Sequence, residues 1–177
     1  YIDSMTVKPI NGTNNATTAF YGEEQITDSK NRDFGSSSDW AVLNIAGGSL
    51  TEPSNKLQIV TSTDEESEGA QLAIAEFTTP VIGRTYRISA TMQQTSGATT
   101  PQIGFQYAGT GSSYFNISAS AVTYTKDIVA VNTTGNLKIF NTSSASSTTF
   151  TIDDVSVKEV GIATGWTDAD QQLDIPQ

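Results

Sequence analysis

Residues 85–94 read TYRISATMQQ, and the fold can be read from them. Tyr86, Ile88, Ala90 and Met92 share one side of an extended chain, and Arg87, Ser89, Thr91 and Gln93 share the other, because successive side chains of a strand alternate between faces. The same parity continues downstream. In QIGFQYA (102–108) Ile103, Phe105 and Tyr107 oppose Gln102, Gly104 and Gln106, and in SYFNIS (113–118) Phe115 and Ile117 oppose Tyr114 and Asn116. These segments predict half-buried strands with one greasy and one polar side.

From Trp40 onward, short runs of this kind are divided by Gly, Ser, Asn and Pro clusters about every ten residues, the pattern of a β-sandwich or jelly roll. Strands are expected near 40–45, 56–61, 70–77, 85–94, 102–107, 113–118, 122–130, 136–141 and 148–158, making an all-β chain of about nine antiparallel strands. GAQLAIAEF (69–77) alone could pass for a helix; its length and neighbours favour a strand.

Composition agrees and narrows function. The 177 residues are 36% apolar and 16% charged, enough for one well-buried domain and short for two. Twenty Ser and 26 Thr alternate with Val, Ile, Phe and Tyr, which is β composition and not disorder. The absence of Cys and His from the sequence excludes a disulfide framework, thiolate zinc, a cysteine nucleophile and the usual general base. A net charge of −10 opposes nucleic acid and anionic membrane as partners. No stretch approaches the roughly 20 apolar residues of a membrane-spanning helix.

An internal echo suggests the domain limits. YIDSMTVKPI (1–10) and TIDDVSVKEV (151–160) share Ile, Asp, Val and Lys at a constant offset. Residues 1–10 are therefore expected to be the last strand of a preceding module, 11–30 a polar linker packing through Phe20 and Tyr21, 31–160 the complete module, and 161–177 the lead-in to a following domain.

Three segments, NRDFGSSSDW (31–40), IGRTYRISATM (82–92) and FTIDDVSVKEV (150–160), together resemble the carbohydrate-binding modules of families 4 and 9. Asn31, Asp33, Phe34 and Trp40 match the opening of that pattern, Gly83, Tyr86 and Ile88 its central turn, and Ile152, Asp153, Asp154 and Val155 its close; Arg32 stands where Gly is usual. The resemblance implies a galactose-binding-like jelly roll without catalytic activity. It also implies a structural calcium, for which Asp33, Glu52 and Asp154 could supply oxygen ligands, although Gly35 falls where the family often has an acid. Alternatively, Asp154 simply hydrogen-bonds backbone at the sheet end. The flanks ATTAFYGEEQIT (16–27) and GWTDADQQLDIP (165–176) resemble joints in modular phage fibre and surface proteins, which implies a virion surface location, other virion chains as partners and homo-oligomers.

Sugars are held by aromatic rings under their CH faces and by planar groups that each satisfy two hydroxyls. Tyr114 could supply the stack and Arg87, Gln93, Gln102, Gln106 and Asn116 the polar contacts, with Gln71, Lys138 and Phe140 bordering the same cleft if their strands join that sheet. A host surface glycan is the ligand this suggests; a merely solvated polar face is the other reading. Asp64, Glu65, Glu66 and Glu68 read as a solvated acidic loop, with loose divalent-ion binding as the alternative. Trp40 reads as a core anchor. A nucleophile–base pair or facing carboxylate pair is not visible, so an enzyme is not expected. The functions in contention are a glycan-binding module of a phage fibre or spike, a carbohydrate-binding module of a secreted bacterial glycoside hydrolase or surface adhesin, and a purely structural decoration domain.

Overall fold

The computed structural model describes residues 21–44, 47–62, 67–97, 101–142 and 147–161. Among them run the strands β1 (Tyr21–Glu24), β2 (Ala41–Leu43), β3 (Ser49–Thr51), β4 (Leu57–Val60), β5 (Glu68–Leu72), β6 (Thr85–Ser96), β7 (Gln102–Tyr107), β8 (Thr110–Asn116), β9 (Val122–Val129), β10 (Leu137–Asn141) and β11 (Thr149–Val160), with one helical turn, α1 (Lys30–Asp33). They form two antiparallel sheets packed as a β-sandwich, the expected jelly-roll class. One sheet has the order β3-β4-β11-β6-β9, with β1 also on β11; the other has the order β2-β5-β10-β7-β8.

The inward sides are those that parity predicts. Tyr86, Ile88, Ala90 and Met92 of β6, with Leu57 and Ile59 of β4, face Ala70, Leu72, Ile103, Phe105, Tyr107, Leu137 and Ile139 of the other sheet. Each large aliphatic side chain so buried contributes about 1.5–3 kcal/mol. β11 keeps its apolar residues inside through a bulge. Asp153 pairs with Thr91 and Ser156 with Ser89, so one extra residue is accommodated, and Asp154 takes a left-handed φ of 49°. The slip reverses parity: Phe150 and Ile152 face inward before it, and Val155 and Val157 after it.

Two short strands, β1 and β3, add to the nine expected, and the run 69–77 stops being a strand at Leu72, giving way to a 3-10 turn at Ile74–Glu76. The described part of the expected linker belongs to the module. Ile26 is buried and bridges Phe77, while Gln25 N donates to Val157 O at 2.8 Å. Glu24, at the end of β1, ties that edge of β11 just past the bulge: its carboxylate accepts from Val157 N at 2.8 Å, Ile26 N at 3.2 Å and Ser156 Oγ at 2.6 Å. The expected strand at 1–10, the linker through residue 20 and the lead-in beyond residue 161 lie outside the described residues.

The opening motif forms a clasp. Buried Asn31 accepts from Asp39 N at 2.7 Å and donates to Asp39 Oδ2 at 3.1 Å, and Trp40 Nε1 donates to Asn31 O at 2.9 Å. Trp40 is buried with its ring 6.3 Å from that of Phe34, in the anchoring position expected of it.

Candidate functional site

The outer face of the five-stranded sheet is organised in cross-strand rows. Leu43, Gly69, Phe140, Gly104 and Tyr114 are paired in succession across β2, β5, β10, β7 and β8, and therefore share one face. Large and absent side chains alternate along this row. A Cβ on Gly104 would lie 3.1 Å from Phe140 Cζ and 3.3 Å from Tyr114 Cδ1, so the missing side chain is what lets both rings lie low on the sheet. Phe140 is outside the core cluster yet only 8% exposed, whereas Tyr114 is 54% exposed.

Beside this row, Ala41, Gln71, Lys138 and Gln106 are paired in the same way. On the other side Gln102 pairs with Asn116, and Gln102 Oε1 accepts from Thr142 Oγ1 at 3.0 Å. Gln71 is immobilised: Asn136 Nδ2 donates to its Oε1 at 3.2 Å, its Nε2 donates to Val42 O at 3.3 Å, and Asn136 Oδ1 in turn accepts from Ile74 N. The side chains of Gln106 and Lys138 have no hydrogen-bond or ion-pair partner among the described residues. Two hollows of about 290 and 330 Å³ open on this face and share those two residues. The first runs toward Gly135 and Asn136, the second toward Tyr114 and Phe140, so together they make a groove over this face. An exposed tyrosine beside an unpaired amide and an unpaired ammonium can seat a sugar ring and bond its hydroxyls.

Not every residue expected on this face is there. β6 belongs to the six-stranded sheet, so Arg87 and Gln93 project from the opposite side of the sandwich. The expectation took β6, β7 and β8 as neighbours because they follow one another in sequence; the chain instead crosses between sheets after β6. Arg87 binds Asp127 with two bonds, Nε to Oδ1 at 2.6 Å and Nη2 to Oδ2 at 2.7 Å, and its guanidinium lies 5.0 Å from the centre of the Tyr21 ring, whose hydroxyl it also bonds. The hydrogen-bonded guanidinium holds the Asp127 carboxyl below its ordinary pKa and is itself raised. Gln93 Nε2 donates to Ala119 O at 2.8 Å.

In fold, the chain is similar to solved carbohydrate-binding modules. The CBM22-1 xylan-binding domain of Paenibacillus barcinonensis Xyn10C superposes with a TM-score of 0.51 at 13% identity, over 79% of this chain and 94% of that one. The C-terminal family 22 carbohydrate-binding module of Clostridium thermocellum Xyn10B superposes with a TM-score of 0.52 at 18% identity, over 80% and 94%. The chain has the fold of carbohydrate-binding modules. A third structure, the CBM22-1-GH10 modules of Clostridium thermocellum xylanase 10B complexed with xylohexaose, matches with a TM-score of 0.53 at 15% identity, over 81% of this chain and 30% of that one. At these identities the likeness is one of fold. No protein-family model matches the sequence, and neither does any curated protein.

The three acids expected to hold calcium do not converge. Asp33 and Asp154 line one hollow of about 300 Å³ with Glu24, Arg32 and Lys158. Glu52 is held elsewhere, accepting from Ser38 N at 3.1 Å and from Ser38 Oγ. Among the described residues no group of three or more acidic side chains is placed to hold a metal ion. Asp154 does not bond backbone through its side chain at the bulge; Asp153 does, accepting from Asp154 N at 2.9 Å and pairing with Lys56 at 3.0 Å. Glu68 is likewise not a solvated loop residue: it opens β5, is 1% exposed and accepts from Ser62 N and Oγ, both at 2.6 Å. Residues 63–66 of that acidic run lie outside the described residues.

Sequence reasoning placed Gln71, Lys138 and Phe140 only conditionally and gave Gly69 and Gly104 no part. The signal for the glycines is that each sits on the polar parity of its strand, where a side chain would otherwise stand.

Proposed function

We propose that the chain is a non-catalytic glycan-binding module whose ligand lies along the groove of the five-stranded sheet. The row Leu43, Gly69, Phe140, Gly104, Tyr114, bordered by the unpaired Gln106 and Lys138, carries this reading. Two glycines let Phe140 lie low and buried beside Tyr114, which is 54% exposed, and the adjacent row offers donors that no other side chain among the described residues uses. Screening a polysaccharide array with the wild-type chain, Tyr114→Ala and Gln106→Ala tests it. Both variants should lose binding while keeping the wild-type β spectrum; equal binding by all three removes the groove.

The finer setting we propose is the surface of a phage virion, with the module strung in a homo-oligomeric fibre or spike among other virion chains and used for host attachment. The terminal echo and the flanking segments support it. The alternative setting, a module of a secreted or cell-surface bacterial glycoside hydrolase, is favoured by the fold neighbours, which come from xylanases. Sedimentation of the chain separates them in part, since a fibre module should associate and a tethered enzyme module should run as a monomer.

A further inference from the structure

In a chain of net charge −10, the hollows of the five-stranded face are lined by no Asp or Glu and by one cation, Lys138. Lys30, Lys56, Arg84 and Arg87 each have a carboxylate within 4 Å, Arg32 and Lys158 share a hollow with Glu24, Asp33 and Asp154, and Lys126 is exposed. Lys138 is half-buried at the middle of the groove with no such partner among the described residues. An ammonium with no counter-ion of its own can pair with an arriving anion without first breaking an ion pair of the protein. Its two row neighbours differ. Gln71 is tied at both ends of its amide, so it orients and walls the groove. Gln106, paired directly with Lys138 on the next strand, keeps its amide unused. Side chains on directly paired residues of one face lie about 5 Å apart at their roots, close enough for an ammonium and an amide N–H to converge on the two oxygens of one carboxylate.

We propose that the groove selects a glycan bearing a uronic acid, with the sugar carboxylate bound by Lys138 Nζ and Gln106 Nε2 and an adjoining ring stacked on Tyr114. This inference rests on the glycan-binding reading above and specifies its ligand class. A single cation accommodates one carboxylate per bound segment, and the chain's net negative charge repels a dense polyanion. The ligand is therefore a largely neutral polysaccharide with uronate at intervals, such as glucuronoxylan, and not an unbroken polyuronate such as alginate.

The test begins with an array holding xylan, β-glucan and mannan beside glucuronoxylan, hyaluronan and alginate. Calorimetric titration follows with the strongest uronate-bearing polymer and with the same polymer after its carboxyls are reduced to alcohols. The wild type should bind the native polymer about tenfold more tightly than the reduced one. Lys138→Gln should erase that difference, so that the variant binds the native and the reduced polymer with equal affinity, and Lys138→Arg should retain it. Tyr114→Ala should weaken both polymers alike. If the array selects only neutral glycans, or if Lys138→Gln changes nothing while Tyr114→Ala weakens both polymers, the uronate inference is overturned and the glycan groove stands. If no polysaccharide of either kind binds the wild type, the groove falls and the inference with it.

Discussion

The two outer faces of the sandwich are both polar, and they differ in what their polar groups are doing. On the six-stranded face Arg87 is bonded twice to Asp127 and lies over Tyr21, Thr91 and Thr123 bond each other at 2.9 Å, and Gln93 is tied to a backbone carbonyl. On the five-stranded face Lys138 and Gln106 have no partner among the described residues, and two rings lie low beside a glycine that makes room for them. Polar composition is thus a poor marker of a binding surface. Hydrogen-bonding capacity that the protein leaves to water, next to an exposed tyrosine, is a better one, because a ligand can take over both without breaking a contact within the protein.

The largest effect that would break this contrast is at Gly69. A Cβ there would lie 2.1 Å from Ile139 O and 2.6 Å from Phe140 Cα, both backbone, so Gly69→Ala must force β5 away from β10. A loss on the order of 3 kcal/mol or more is expected, read as a lowered denaturation midpoint; an unchanged midpoint would show that the aromatic row is not registered as described. Tyr114→Ala comes next: affinity for the selected glycan should fall at least about fivefold with the midpoint nearly unmoved, as for an exposed aromatic anchor. Gly104→Ala should act more gently. Its added methyl meets ring edges at 3.1–3.3 Å instead of backbone, so the rings lift by a few tenths of an ångström and affinity drops about two- to threefold while the fold holds.

How legible these features were in the sequence follows from the same contrast. Strand parity identified the inward residues of β6, β7 and β8 because each has an unbroken alternation against a single core. It could not say which strands are neighbours, and that is why Arg87 and Gln93 were grouped with Gln102, Gln106, Tyr114 and Asn116 although they stand on the other sheet. β1 was hidden for another reason. YGEE has no apolar alternation, and the strand is held by backbone pairing to β11 and by the Glu24 carboxylate just past the bulge, 133 residues from its partner Val157 in the chain. The bulge itself left a readable trace, since Ile152 and Val155 cannot both face inward on an unbroken strand. The groove was half legible: its polar members and Phe140 could be named, but the part played by Gly69 and Gly104 exists only once β10 is laid between β5 and β7.

The smallest expected effect tests the other side of the contrast, that the six-stranded face is self-sufficient. Asp127→Asn removes the carboxylate that Arg87 binds, and glycan affinity should not change, because the pair lies on the far sheet. Stability should change slightly and with a definite pH dependence. The hydrogen bond from Arg87 lowers the folded-state pKa of Asp127, so the pair's contribution is complete above the ordinary aspartate value of about 3.9 and disappears as pH falls through the lower folded value. Both side chains are about a third or more exposed, at 33% and 40%, which limits the contribution to less than about 1 kcal/mol after solvent screening. Denaturation midpoints of the wild type and Asp127→Asn should therefore differ by a few tenths of a kcal/mol near neutral pH and converge in acid. If the gap persists undiminished at low pH, the stabilisation comes from the packing of Arg87 against Tyr21 and not from its charge. If the substitution also weakens glycan binding, the two faces are coupled through the core, and the separation drawn between them fails.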